Sequence, residues 1–261
     1  MTTTTVTSSG GLPNALRNTW RWIKKIPPVY PVFLVIFIVL GFGVIIGLIN
    51  GLVVSYLKVP SFITTLGMML LVRGTGLYYV GGAPQGYLTD NWRAFGRNYI
   101  ENVPLFSRVP YALIILIGIG IISYIIFNRT NFGKQLLATG DNVRASQLSG
   151  VRVRPVRVIT FILCAVFAII GGIMIGGYGG VNVTIGEGLE MQAIAACVVG
   201  GVLLGGGKGS VPNVIFGAFT LQAIVNLLNM LGLPKPYTDV VQGLIIIGAV
   251  AYVGLSSQKK Q

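Results

Sequence analysis

The chain has 261 residues, of which 53% are apolar and only 10% charged, and its nineteen Lys and Arg against six Asp and Glu give a net charge of +13. This composition excludes a soluble globular domain and a disordered chain. Histidine is absent, which excludes His-based zinc sites and Ser-His or Cys-His catalysis. We therefore predict an all-α, multi-pass membrane protein with no catalytic residues, no metal site and no cofactor.

Seven apolar segments follow each other along the chain, and a helix needs about 20 apolar residues to cross the hydrocarbon core. Broken helices are predicted in two of the segments. The second has Pro60 near its start and contains Arg73, and the fifth is short and ends in three glycines. The seven segments are 32–57, 59–80, 109–127, 158–180, 191–207, 211–233 and 240–255.

The Lys and Arg residues lie mainly in the connections between these segments. The loop 129–157 carries six of them against Asp141 alone, whereas the loop 81–108 is nearly neutral. The positive-inside rule predicts a cytoplasmic N-terminal segment at 1–31, a membrane domain at 32–256 that includes the cytoplasmic loop, and a cytoplasmic tail at 257–261. An odd number of segments, three, separates the N-terminus from the loop. Because both are predicted to be cytoplasmic, an even number of crossings is required between them. The odd number therefore predicts that one segment is re-entrant or that a segment has been lost.

An internal repeat relates the first two segments to the last two at an offset of 176 residues. It predicts two copies of a helix, a proline-containing break and a second helix, as in transporters with inverted repeats, whose solute path lies where the repeats meet. A second similarity pairs residues 29–31 and the apolar run after them with residues 109–111 and the run that follows, at an offset of 80 residues. The difference between the two offsets indicates that the first copy lacks about 96 residues, which predicts an internal deletion with a seam near residues 41–43. The repeat pairs are Gly41 with Gly217, Asn50 with Asn226, Pro60 with Pro236 and Gly67 with Gly243.

Residues 131–151 of the basic loop alternate small or apolar residues with polar ones at roughly helical spacing. Helix breaks are expected at Gly133, Gly140 and Gly150. The pattern predicts a short amphipathic helix on the cytoplasmic face that docks into a groove of a partner protein. The alternative is a basic connector that only orients the protein in the membrane.

This loop resembles the coupling segment of ABC importer permeases for ribose, xylose, arabinose and related monosaccharides, and the blocks 50–74 and 188–210 agree with the same family. Lys134 replaces the usual Arg, and Ser146 replaces the second Ala of the family pattern. A Gly-Gly-x-Asp-Leu-Ser-Val-Gly block of that family is missing from the first half, in agreement with an internal deletion. The resemblance assigns ATPase coupling to Gly133, Lys134, Ala138, Gly140, Asn142, Ala145, Ser149 and Gly150.

The resemblance implies the membrane-spanning permease subunit of an ATP-driven importer for a simple sugar such as ribose, in the bacterial inner membrane. It implies ABC ATPase subunits as partners, a second permease subunit (identical or different), and an extracytoplasmic sugar-binding protein. No nucleic acid is expected. The alternatives are a permease for branched-chain amino acids, a nucleoside or a furanone signal, a shortened permease that transports nothing, and a secondary transporter, which the scarcity of acidic residues disfavours.

Polar side chains within or beside the apolar segments are the candidates for the translocation path. Amides in apolar helices need partners, so interhelical hydrogen bonding is the first interpretation and sugar contact the second. Glu187 and Glu190 are either functional carboxylates or solvated loop ends, and Arg73 is expected to be paired or to snorkel. The candidate path residues are Asn50, Thr64, Thr65, Glu190 and Asn226.

Overall fold

The computed structural model describes residues 29–82, 93, 99–103, 106–180, 182, 185–232 and 234–258. These residues form nine helices and one two-stranded hairpin, which confirms the predicted helical multi-pass fold class. Each of the seven predicted segments contains one helix. In chain order the elements are α1 Val29–Tyr56, α2 Ser61–Val80, β1 Tyr99–Val103, β2 Phe106–Pro110, α3 Tyr111–Arg129, α4 Asn131–Asp141, α5 Val143–Leu148, α6 Val153–Gly179, α7 Leu189–Val199, α8 Val211–Met230 and α9 Lys235–Gln258.

Helix lengths separate the spans from the broken segment. Among the described residues, four stretches are long and apolar enough to cross a membrane: Val32–Tyr56, Tyr111–Arg129, Val153–Gly179 and Val211–Met230. Helix α7 has 11 residues and rises only about 16 Å, so it cannot cross the core alone, as its glycine-terminated segment predicted. The predicted break at Arg73 is wrong, because α2 runs through it without interruption.

Helices α1 and α6 pack closely against each other through glycines one helical turn apart on α1. An added Cβ at Gly47 would lie 2.8 Å from Ile162 Cα, and one at Gly51 would lie 2.8 Å from Val158 Cα. As the α1 number rises the α6 number falls, so the two helices are antiparallel. Small residues allow this backbone approach, which strengthens van der Waals packing where lipid provides no hydrophobic drive between helices.

The antiparallel pair fixes the direction of the first helices. The end of α1 lies beside the start of α6, where the Arg154 guanidinium sits 5.2 Å from the centroid of the Tyr56 ring. We call this end of the bundle, which also carries α4 and α5, the coupling end, and the other the far end. Helix α1 therefore starts at the far end, and the cytoplasmic location of segment 1–31 stays a prediction. Residues 1–28 of that segment lie outside the described residues.

The three long helices before the coupling segment alternate in direction along the bundle. Helix α2 starts at the coupling end, and Arg73 in its second half pairs with Glu187, which follows α6 at the far end. Helix α3 returns to the coupling end, where α4 begins. Helices α1 and α3 thus run toward the coupling end and α2 runs away from it, and a re-entrant or lost segment stays a prediction.

The second helix group comprises α3, α7, α8 and α9. Its small core consists of Ala195, Ala196 and Leu221, with Ile245 of α9 packed against it. Gly217 of α8 sits directly against the Ala196 carbonyl oxygen, a position that a side chain would block. Helix α4 packs on both α3 and α6 and therefore joins the second group to the first, α1, α2 and α6, at the coupling end.

Both copies of the predicted repeat have the helix–break–helix form. The first copy is α1, a break at 57–60 and α2; the second is α8, a break that includes Leu231, Gly232 and Pro234, and α9. Helix α1 runs toward the coupling end, whereas α8 starts there, so the two copies have opposite orientations. The paired prolines differ in detail, because Pro60 precedes α2 while Pro236 is the second residue of α9.

The hairpin β1–β2 is the element that the sequence patterns did not predict. It lies in the nearly neutral loop before α3, and its strands pair in antiparallel register, with Ile100 opposite Val109 and Glu101 opposite Arg108. The run from Tyr99 to Pro110 is rich in β-branched and aromatic residues, which favour strands.

Candidate functional site

The predicted coupling segment forms two short helices, not one. Thr130 caps α4, since its Oγ1 accepts a hydrogen bond from the Gly133 N–H at 3.3 Å. Asn142 ends α4 and caps α5, because its Oδ1 accepts from the N–H groups of Arg144 and Ala145, each at 3.0 Å. Such caps satisfy backbone donors that a helix start leaves unpaired. Asn142 thus positions the bend between the two helices.

Two of the three predicted helix breaks are wrong. Gly133 and Gly140 both lie inside α4, and they are small because other backbone approaches them. Gly133 sits against the Phe127 carbonyl oxygen, and an added Cβ at Gly140 would lie 2.5 Å from the Gly207 nitrogen. Gly150 does mark the end of the segment, and its φ of 81° is one that glycine adopts without strain.

A direct backbone contact joins α4 to the glycine-rich loop 200–210. An added Cβ at Gly206 would lie 3.0 Å from Gly140 Cα, and one at Gly207 would lie 2.8 Å from Asp141 Cα. This loop connects the short helix α7 to α8. The contact was not predicted from the sequence, although a run of three glycines, here 205–207, permits a close backbone approach. The end of α4 therefore lies against the backbone of this loop.

One side of the coupling segment is buried and the other faces outward. Gly133, Thr139 and Ser146 are buried, and Ser146 is one of the departures from the family pattern. Leu148, which is not a residue of the family motif, is 86% exposed. It therefore offers an apolar side chain to a partner. Of the eight residues assigned to coupling, the exposed ones are Lys134, Ala138, Asn142, Ala145, Ser149 and Gly150.

Asn50 is buried in α1, beside the glycine contact with α6. Its side chain is 9% exposed, and within the described part of the chain its Oδ1 has no hydrogen-bond partner. The predicted interhelical hydrogen bond to this oxygen is therefore not found among those residues. A buried amide oxygen without a partner is costly, which makes Asn50 the least satisfied of the five path candidates.

The hydroxyls of Thr64 and Thr65 bond within their own helix. Thr64 Oγ1 donates to the Pro60 carbonyl at 3.2 Å, and Thr65 Oγ1 donates to the Ser61 carbonyl at 3.0 Å. Hydroxyls that bond back to the preceding turn in this way are satisfied without a solute. They lie in the first turn of α2, near the coupling end.

Glu190 and Asn226 lie nearer the far end. Glu190 is half-buried in the first turn of α7, and Asn226 is exposed on α8, where its Oδ1 accepts from Gln222 Nε2 at 3.1 Å. Arg73 is paired, as predicted, with its Nη1 3.7 Å from Glu187 Oε1. Among the described residues no hydrogen bond or ion pair joins any two of the five path candidates, so the structure does not bring them into one site.

Comparisons with known proteins identify the family of the chain. A model of the family described as branched-chain amino acid transport system / permease component matches residues 1–250. The galactose/methyl galactoside import permease protein MglC of Haemophilus influenzae is 37% identical over 235 residues, which cover 88% of this chain and 69% of that permease. The protein of the same name in Escherichia coli is 37% identical over 237 residues, with the same coverage.

A further relative has a different substrate in its name. The autoinducer 2 import system permease protein LsrC of Yersinia pseudotuberculosis is 34% identical over 223 residues, which cover 81% of this chain and 59% of that relative. No solved structure matches the chain. The family match over most of the chain, together with relatives at 37% identity, shows that the chain belongs to the branched-chain amino acid transport system / permease component family, as an ABC importer permease of the monosaccharide type.

Proposed function

We propose that the chain is the membrane-spanning subunit of an ATP-driven importer that carries a monosaccharide across the bacterial inner membrane. The observation that carries the proposal is the contact between α4 and the glycine-rich loop, because it links the exposed coupling segment to the membrane helices. The names of the galactose relatives support the substrate class.

In the proposed mechanism, ATPase subunits bind the exposed side of α4 and α5 and move it when they close on ATP. The caps at Thr130 and Asn142 keep the two helices rigid. Since Gly140 rests on the backbone of Gly206 and Gly207, the movement passes to the connection between α7 and α8. Interfaces that switch between two packed arrangements turn small shifts into larger ones.

The proposed solute path runs between the two helix groups, where the oppositely oriented repeat copies face each other. Helix α4 joins the groups at the coupling end, and at the far end Arg73 of α2 pairs with Glu187 in the connection between α6 and α7. Asn50, Glu190 and the other path candidates remain proposals for this route. Substrate sites at repeat interfaces with discontinuous helices are typical of transporters, and α7 is such a helix.

Galactose is the first solute to test, because the two relatives with 37% identity are named for galactose and methyl galactoside import. Ribose, named from the sequence motif, stays a prediction. The similarity to an autoinducer 2 import permease favours a second candidate solute, that signal molecule.

The proposed partners are ABC ATPase subunits, a second permease subunit and an extracytoplasmic sugar-binding protein. The internal deletion also stays a proposal: the aligned residues leave about a third of each galactose permease unmatched, and α1 is a single continuous helix across the expected seam at 41–43. In that proposal the membrane domain is 32–256, its coupling loop is 129–157, and the tail is 257–261.

The test is uptake of labelled galactose, ribose and autoinducer 2 in a strain without its own permeases, which expresses the full chain with the ATPase and binding protein of its source organism. Uptake of galactose that depends on all three proteins is expected. Association of the three proteins without uptake of any solute would show a shortened permease that transports nothing.

Docking is tested with Ala145→Trp, since Ala145 is exposed on α5 and a large side chain there blocks the ATPase without disturbing internal packing. Co-purification of the ATPase is expected to fall at least tenfold. The matched control is Ala223→Trp, an exposed alanine of α8 within the membrane span. Equal ATPase recovery with Ala145→Trp and wild type would contradict docking on this segment.

A further inference from the structure

A basic cleft opens at the coupling end, and neither the coupling segment nor the solute path accounts for it. Its volume is about 810 Å³, and it lies between the end of α1, the start of α2, helices α4 and α5, and the start of α6. Lys58, Arg154 and Arg157 line it, and no acidic residue does. In the described part of the chain none of these three cations takes part in an ion pair. The cleft therefore holds positive charge without a protein counter-charge.

A buried hydroxyl without a partner belongs to the same cleft. Ser55 lines it, is 7% exposed, and its Oγ makes no hydrogen bond within the described residues. Thr160 of α6 also lines the cleft, but its hydroxyl is satisfied because Oγ1 donates to the Val156 carbonyl at 2.8 Å. An unpaired buried hydroxyl costs free energy unless a ligand supplies the partner. An oxygen acceptor in the cleft would satisfy it.

The backbone positions two of the cations in unusual ways. Lys58 adopts a φ of 55°, and among the described residues it is the one non-glycine residue with positive φ. Such a conformation is uncommon for a side-chain-bearing residue and often marks a functional position. Arg154 is held over the Tyr56 ring at 5.2 Å, a cation–π contact that restricts the guanidinium. The contact with Tyr56 thus holds one of the three cations at the cleft that it lines.

The surroundings of the cleft suit a lipid. It lies where the apolar helix α1 ends and the apolar helix α6 begins, and we expect the headgroup layer at such ends of membrane-spanning helices. Exposed apolar side chains flank it: Leu57 is 70% exposed and Ile159 is 44% exposed. A ligand with an anionic oxygen-rich head and apolar chains matches the cations, the free hydroxyl and these flanks together. Basic pockets between membrane helices are known to take anionic headgroups.

We propose that this cleft binds the phosphate of an anionic phospholipid headgroup in the membrane leaflet at the coupling end. Lys58, Arg154 and Arg157 supply the charge, and Ser55 donates a hydrogen bond to a phosphate oxygen. Because the cleft is also lined by Leu136 of α4 and Gln147 of α5, a bound lipid braces the coupling segment against α1 and α6. The proposal does not depend on which solute is transported.

The test measures lipid binding to the purified full chain in detergent by native mass spectrometry, with dioleoylphosphatidylglycerol and the zwitterionic dioleoylphosphatidylcholine as probes. Phosphatidylglycerol is expected to bind at least tenfold more tightly. Lys58→Gln and Arg157→Gln are each expected to weaken it about fivefold, the effect of one cation near an anionic surface. Ser55→Ala removes the hydroxyl alone and is expected to weaken it about threefold.

Arg129→Gln is the matched control, because Arg129 is an exposed cation at the same end that does not line the cleft. It is expected to change phosphatidylglycerol binding less than twofold. A loss equal to that of Arg157→Gln would show general charge attraction and overturn the proposal. Thermal unfolding without lipid is measured for every variant, so that a loss of fold is recognised; Ser55→Ala is expected to keep wild-type stability.

Two further arms identify the ligand class. Inorganic phosphate at millimolar concentration is expected to leave bound phosphatidylglycerol in place; complete displacement would show a free-anion site and overturn the lipid assignment. Cleft variants that keep their phosphatidylglycerol but lose the ATPase subunit would show a protein-docking surface instead, which also overturns it. Failure of solute uptake in wild type leaves the lipid result standing, so the two proposals fail separately.

Discussion

The glycine contact between α1 and α6 allows a sharp prediction, because the same helix offers a matched control. A methyl group at Gly47 would lie 2.8 Å from both Ile162 Cα and the Phe161 carbonyl oxygen. These are backbone atoms, so no side chain can rotate away, and the helices must separate. At Gly41, on the same helix, an added methyl group meets no atom within 4 Å.

The magnitude follows from comparing Gly47→Ala with Gly41→Ala. Both variants gain the same helix propensity, at most about 1 kcal/mol, so this contribution cancels between them. The remaining difference is overpacking at Gly47, about 1–3 kcal/mol. We therefore expect Gly47→Ala to unfold with a free energy about 1–3 kcal/mol lower than that of Gly41→Ala.

The assay is reversible unfolding of the purified chain in mixed micelles of dodecylmaltoside and sodium dodecyl sulfate, followed by circular dichroism. Each variant gives a midpoint and a slope, from which the two free energies of unfolding are compared. Equal free energies for the two variants would refute the inference that α1 and α6 touch at Gly47.

Three further predictions concern function and stability. Gly140→Ala is expected to lower the amount of solute transported per ATP hydrolysed several-fold, because the added methyl group pushes α4 off the glycine-rich loop. The control is Gly118→Ala, whose methyl group meets no atom within 4 Å and which is expected to leave this ratio unchanged. Uptake and ATPase assays in proteoliposomes measure the ratio, and equal ratios for the two variants would contradict the contact. A double-mutant cycle of Arg73→Gln and Glu187→Gln is expected to give a coupling energy below about 1 kcal/mol, because both side chains are partly exposed. Unfolding in mixed micelles measures this energy. A much larger value would mean that the ion pair is shielded from water. Asn50→Leu removes a buried oxygen without a partner and is expected to stabilise the chain by about 1 kcal/mol; a loss of stability in the same assay would show that Asn50 has a partner.

In the coupling segment the sequence motif predicts the helix but not the role of each residue in it. Periodicity and the family motif placed an amphipathic helix at 131–151, and the structure has helices there with one buried side. The same motif gave Gly133, Gly140 and Ala145 equal standing as coupling residues. The structure separates them, since Gly133 and Gly140 pack against backbone of this chain while Ala145 is exposed. A motif shows which residue types recur at a position, but it does not show which contact in the folded protein requires them.

The path candidates show a second limit. Hydropathy identifies a polar residue in an apolar segment, but it does not say whether the residue is already satisfied. Thr64 bonds back to its own helix, and Asn226 bonds to Gln222, while Asn50 is buried with its oxygen unpaired among the described residues. All three side chains are path candidates by sequence, but their hydrogen bonding in the structure differs.

The sequence by itself determined that the chain crosses a membrane, where the seven apolar segments lie, and that the first two and last two form repeat copies. These properties depend on local composition and spacing, because the bilayer selects apolar stretches of sufficient length. Only the tertiary structure decided that α1 starts at the far end, that α2 continues through Arg73, and that Gly140 touches the glycine-rich loop. These depend on which residues distant in the chain meet in space, and hydropathy carries no information about such pairs.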